Sequence, residues 1–215
     1  MDRDNKKFVL VVIEILKKKY KNPKCALNFS KPFDFLVAVI LSAQCTDKRV
    51  NEITEKLFKK YKSTKSYAQA KLLELQKDIK SAGFFRNKAK NIIKSAKLSV
   101  EKFDGKIPQT MEELLTFPGA ARKTANVVLG TVFNKAQGIA VDTHVIRLSN
   151  LLKLTESVIP VKIEKDLIEI VPKKYWIKFS HWMQILGREV CKARNPNCLQ
   201  CCLNKICPSS KCFRG

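Results

Sequence analysis

Leu115-Thr116-Phe117-Pro118-Gly119-Ala120-Ala121-Arg122-Lys123-Thr124-Ala125-Asn126-Val127-Val128-Leu129 joins the end of one short helix to the start of another across a Pro-Gly turn. Pro118 presets the turn, and Gly119 supplies backbone angles that a side chain resists. A helix that starts near Ala121 leaves its first amides without helical acceptors, which makes a site of partial positive charge. Small side chains at Ala120 and Ala121 let a phosphate come close, and Arg122 and Lys123 add cations beside it. Such a turn grips a nucleic-acid backbone without reading its sequence. The competing reading is an ordinary helix corner with a solvated lysine.

Outward from this stretch the patterning is helical, with no convincing period-two alternation and no Asn-Gly hairpin signal. Thr110-Met111-Glu112-Glu113 reads as a capping box that starts the preceding helix. Upstream, Ser30 and Pro32 open a buried helix from Phe33 to Ser42, and Thr46 or Asp47 caps the next, with Val50, Ile53 and Leu57 at helical spacing. Lys71 to Ser81 stops at Gly83, and Arg86 to Phe103 stops at Gly105. Downstream, Asp142 stands at the cap position of a helix through Leu151 or Leu152. Further helices run from about Pro160 to Val171 and from Lys174 to Val190. Phe8 to Ile13 is apolar, but Glu14 and Lys17-Lys18-Lys19 follow it, so it reads as a core-facing first helix and not as a signal peptide.

The 215 residues carry 42 Lys+Arg against 19 Asp+Glu, a net charge of +23 that calls for a polyanionic partner or, as the weaker reading, an acidic membrane surface. A solvated surface accounts for that charge nearly as well. No apolar run is long enough to span a bilayer, and the expectation is a soluble, intracellular, cytoplasmic protein without a membrane partner. Six of the eight cysteines lie between Cys191 and Cys212, a clustering that suits a metal or cluster site better than disulfide staples. Cys191, Cys198, Cys201 and Cys207 read C-x6-C-x2-C-x5-C. Four thiolates can hold the corners of an iron-sulfur cube or one tetrahedral zinc, though zinc modules more often use two CxxC pairs.

Phe117 to Ala125 resembles the helix-hairpin-helix of the endonuclease III family of DNA glycosylases and apurinic/apyrimidinic lyases, with Ala121 where the family usually has a second glycine. Val141-Asp142-Thr143-His144 matches the family's aspartate segment, Leu41-Ser42-Ala43-Gln44 its glutamine turn, and the four-cysteine spacing its [4Fe-4S] loop. These matches fall in the family's order and extend from Asn28 to Cys207.

The resemblance implies an all-α fold of two helical lobes. One is a six-helix lobe over residues 25–135 with the helix-hairpin-helix at about 111–133. The other is a [4Fe-4S] cluster lobe formed by residues 1–24 and 136–215, with DNA lying across the cleft between the two. It further implies a bifunctional enzyme of base excision repair, a monomer acting on double-stranded DNA that contains oxidised pyrimidines or abasic sites.

In that family the lysine matching Lys123 attacks the sugar C1′, expels the base and forms a Schiff base that permits strand cleavage by β-elimination. Asp142 accepts a proton or stabilises the oxocarbenium-like transition state. The chain can bring the two together, since a helix from Lys123 to Phe133 rises about 15 Å and the eight residues that follow span roughly 25 Å when extended. Asp142 as a helix cap alone is the simpler alternative, and the two roles can coexist.

Gln44 is expected to fill the gap left by an extruded nucleotide, and Phe84 to act as an apolar wedge; their plainer readings are a helix-end polar residue and a core residue. The family spacing selects Cys191, Cys198, Cys201 and Cys207 as ligands and leaves Cys202 and Cys212 as free thiols. Lys192 and Arg194, between the first two ligands, can present a basic finger to a phosphate. A monofunctional glycosylase and a non-catalytic iron-sulfur DNA-binding module are the alternatives, and Lys123 argues against both.

Overall fold

The structure, a computed structural model, describes residues 3–210. Every regular element among the described residues is helical, which bears out the all-α class. The chain divides into two compact units, one of Cys25–Lys135 and one of Met1–Lys24 with Ala136–Gly215.

The Cys25–Lys135 unit holds α2 (Pro32–Ser42), α3 (Asp47–Lys60), α4 (Thr64–Ala68), α5 (Leu72–Asp78), α6 (Phe85–Phe103), α7 (Met111–Leu115) and α8 (Arg122–Phe133). Its central element is α2, eight of whose eleven residues are buried, because an apolar helix without a polar face needs neighbours on all sides. It packs against α3, α6 and α8. Ser30 does not cap it: the cap position is Lys31, and the Ser30 hydroxyl donates to Asp34 Oδ2 at 3.0 Å instead. Thr46 caps α3, accepting from the Arg49 amide, and Val50, Ile53 and Leu57 form its buried stripe. The one-turn α4 escapes sequence patterning because five residues show no period. Ser63 and Ser66 cap it reciprocally, and fully buried Tyr67 anchors it.

The other unit holds α1 (Arg3–Lys19), α9 (Thr143–Leu151), α10 (Pro160–Ile170) and α11 (Trp176–Glu189). α1 buries Val9, Val12, Ile13 and Leu16, the spacing of a single helical stripe. It packs against α10 and α11, and Trp182 Nε1 of α11 donates to the Tyr20 carbonyl at its end at 2.9 Å. No helix among the described residues is long and apolar enough to cross a membrane.

Candidate functional site

The α7–α8 corner is built from its capping residues inward. Thr110 Oγ1 accepts from the Glu113 amide and donates to the Glu113 carboxylate at 2.7 Å. Leu114 and Phe117 are buried, so the chain enters the turn already fixed to the core. Gly119 lies at φ +83, a left-handed angle that glycine tolerates. From α6, the fully buried Ser95 donates its hydroxyl to the Pro118 carbonyl at 3.0 Å and holds the turn from behind.

Ala121 occupies the cap position of α8 at φ −67 and ψ 168. That is extended backbone open to any residue, so alanine in place of a second glycine carries no strain. No side chain caps α8 at this position, and its first-turn amides therefore keep the partial positive charge expected of a helix start. Arg122 and Lys123 are exposed on this first turn, whereas Ala120 is turned into the core. Of the two small residues expected to admit a phosphate, Ala121 alone is at the surface.

Gln44 and Phe84 share an unusual conformation. Gln44 has φ +52 and Phe84 φ +46, both left-handed and both without the freedom of glycine. Such outliers persist only where surrounding structure imposes them, and they gather at functional sites. Both side chains face solvent, and Phe84 is 66% exposed, which removes its reading as a core residue.

Asp142 is the N-cap of α9. Its Oδ1 accepts from the amides of His144 and Val145, each at 2.9 Å. The second oxygen of the carboxylate is not used in that cap, so capping leaves it available for chemistry. His144 packs on α11 so tightly that a Cβ on Gly187 would lie 2.7 Å from its ring Nδ1. His181, also on α11, feels the Asp142 charge. Burial pushes its imidazole below the ordinary 6.5, Arg188 adds to that push, and Asp142 opposes it. One turn along α9, Arg147 donates to the carbonyls of Gly187 and Cys191 and so ties α9 to the start of the cysteine loop.

Cys191, Cys198, Cys201 and Cys207 line one cavity of about 90 Å³, walled also by Leu151 and Pro196. Burial raises the Cys191 thiol pKa, and the nearby Arg147 cation opposes the rise. Ser209 closes the loop onto α9 through a 2.9 Å bond from its hydroxyl to the Leu151 carbonyl. Cys202 does not line the cavity; it sits by Tyr20, whose phenol is pushed up to about 12 mainly by burial and next by Cys202. Cys212 lies outside the described residues. Lys192 and Arg194 are exposed, with Asn195 turning the chain at φ +52.

Sequence reasoning missed Lys88, Ser95 and His181. A signal for the first two existed: Lys88 and Ser95 fall on the stripe of α6 that also buries Ala89, Ile92, Ala96 and Ser99, where polar residues need a reason.

Known proteins resemble this chain over most of its length. The pattern of the HhH-GPD superfamily of base excision DNA repair proteins matches residues 37–173, more than half of the chain. Endonuclease III of Synechocystis is 50% identical over 200 residues, 93% of this chain and 91% of that protein. The Bacillus subtilis enzyme is 46% identical over 191 residues, 87% of this chain and 86% of that one. A solved structure of a trapped endonuclease III–DNA covalent intermediate superposes with a TM-score of 0.89 at 41% identity, covering 96% of this chain and 97% of that one. The chain therefore belongs to the endonuclease III family within the HhH-GPD superfamily of base excision DNA repair proteins.

Proposed function

We propose that Lys123 is the nucleophile with which this base excision repair enzyme, a bifunctional DNA glycosylase and apurinic/apyrimidinic lyase, removes oxidised pyrimidines from duplex DNA. The observation that carries the reading is the α7–α8 corner, whose uncapped helix start presents Ala121, Arg122 and Lys123 together at the surface. In the proposed reaction the Lys123 amine attacks the sugar C1′ and the bond to the damaged base breaks, the base leaving with a proton. Loss of the ring oxygen from C1′ gives an iminium. That iminium makes the C2′ proton acidic, and its removal expels the 3′ phosphate by β-elimination. Asp142 supplies the carboxylate that accepts a proton or stabilises positive charge on the sugar.

Pro118, Gly119 and Arg122, with Ala120 and Ala121, form the corner that holds a backbone phosphate, while Lys192 and Arg194 hold another from the cysteine loop. Gln44 and Phe84 enter the duplex where the target nucleotide leaves its stack. The enzyme acts as an intracellular monomer.

The cysteine cavity fits a [4Fe-4S] cluster. Four-cysteine zinc modules more often use two CxxC pairs, whereas here only Cys198 and Cys201 are so spaced. Four thiols around a cavity of about 90 Å³ instead suit a group with one ligand at each corner. When bound, the cluster staples the loop and steadies Lys192 and Arg194, with no part in bond breaking.

The test is borohydride trapping on duplex containing thymine glycol. The intact, iron-loaded protein should form a covalent adduct and Lys123→Ala should lose it. A folded, loaded wild type that gives no adduct would sink the proposal.

A further inference from the structure

Among the described residues, Lys88 is the one lysine or arginine that is buried, with 5% of its surface exposed. Its ammonium donates to the carbonyls of Leu41 at 2.9 Å, Ala43 at 2.7 Å and Ala82 at 2.8 Å. An ammonium has three donors, and here each has an acceptor. Burial lowers the Lys88 pKa, a cost that these three bonds offset.

The three carbonyls belong to two separate turns. Leu41 and Ala43 form the exit of α2, immediately before Gln44; Ala82 ends the 3-10 turn Lys80–Ala82, two residues before Phe84. The turns are about forty residues apart in sequence, and the next side-chain-bearing residue after each bonded stretch is left-handed: Gln44 at φ +52 and Phe84 at φ +46. Neither side chain is buried, so neither strained conformation is held by its own packing. Each turn is closed locally through the backbone, by the Cys45 amide on the Ser42 carbonyl and by the Asn87 and Lys88 amides on the Phe84 carbonyl; the Lys88 ammonium is the group that binds the two turns to each other at one point. A compact ammonium suits three converging carbonyls; the planar fork of a guanidinium does not.

We propose that Lys88 is a positioning residue that fastens the Gln44 and Phe84 turns to each other, so that both side chains enter the duplex as one rigid pair. The inference rests on the duplex-opening roles given to Gln44 and Phe84 above. Lys88 itself touches neither DNA nor the reacting sugar.

The test compares a step that needs duplex opening with one that does not. Lys88→Met, in the full-length iron-loaded protein, should release thymine glycol from duplex about tenfold more slowly, the effect of orphaning carbonyls that set the two turns. Its cleavage of an abasic site in single-stranded DNA should stay within about twofold of wild type, because no base pair must be opened. A 2-aminopurine beside the lesion should lose its fluorescence rise on binding. Parallel loss of both activities, or loss of neither, would overturn the proposal.

If Lys88→Met does not fold, the exposed pair gives the answer. With Gln44 and Phe84 fastened together, the double Ala variant should be no more than about twofold slower on duplex than the worse single variant. Multiplication of the two single effects would overturn the proposal. A wild type that traps no covalent adduct would instead refute the assigned function, leaving the bonds of Lys88 unexplained.

Discussion

A Cβ placed on Gly119 would lie 3.0 Å from Asn91 Nδ2, so the helix-hairpin-helix turn is pressed against α6 at its sharpest point. Gly119 is also at φ +83, where a side chain is strained whatever the space. Gly119→Ala should therefore lose about 1–3 kcal/mol of stability, together with affinity for duplex DNA. Two residues on, Ala121→Gly should recover nothing, because Ala121 is at φ −67 and has no strain to relieve. The freer unfolded chain costs about 0.4–1 kcal/mol, and glycine's better fit than alanine at a helix N-cap offsets a similar amount, so the net change should stay within about 0.5 kcal/mol. Urea denaturation of both variants checks the pair; a gain in Ala121→Gly of well over about 1 kcal/mol, more than a cap can supply, would contradict the extended conformation of that residue.

Asp142 caps α9 through one oxygen, and asparagine caps nearly as well as aspartate. Asp142→Asn should thus keep the melting temperature close to wild type while base release slows by about 10²–10⁴-fold, the usual contribution of a positioned acid or base. Asp142→Ala should lose activity and about 1 kcal/mol of stability together. Single-turnover rates and thermal melts on the two variants separate the roles. An active Asp142→Asn would reduce Asp142 to a cap.

Much of this site was legible because its signals are local. Thr46, Thr110 and Asp142 each precede a helix and cap it, and the helical spacing of Val50, Ile53 and Leu57 shows directly as burial. Ser30 misled, since a serine near a helix start can bond a side chain one turn on as readily as a backbone amide, and it chose Asp34. Phe84 shows the opposite limit. Only the fold reveals that an aromatic in a helical stretch is held out to solvent at φ +46. Lys88 was legible as a charge on an apolar stripe, but its three acceptors come from turns distant in sequence, and no spacing rule connects them.

The adjacent cysteines give opposite expectations. Cys201 lines the cavity with Cys191, Cys198 and Cys207, while Cys202 does not. Cys201→Ser should lose the visible absorbance band and bound iron, because one corner of a four-thiolate site is gone. Cys202→Ser should keep both. Iron analysis and an absorbance spectrum suffice, and colourless wild type carrying one zinc would refute the cluster.

His181 gives the cysteine-free half of this unit a pH signature. Its folded pKa is below the 6.5 of the free side chain, chiefly through burial, then through Arg188, with Asp142 opposing. Below 6.5 the unfolded chain takes up the proton more readily than the folded one, so stability rises with pH across the interval between the two pKa values. The contribution is complete above 6.5, is lost as pH falls toward the folded value, and levels off beneath it. Denaturant unfolding between about pH 7.5 and about pH 5 should show this loss, with a slope from this one group of at most about 1.4 kcal/mol per pH unit. In His181→Gln the slope should be shallower over that interval and unchanged above it. An identical slope in the variant would mean that the attraction of Asp142 cancels the push of burial and Arg188, leaving the folded pKa no lower than the unfolded one.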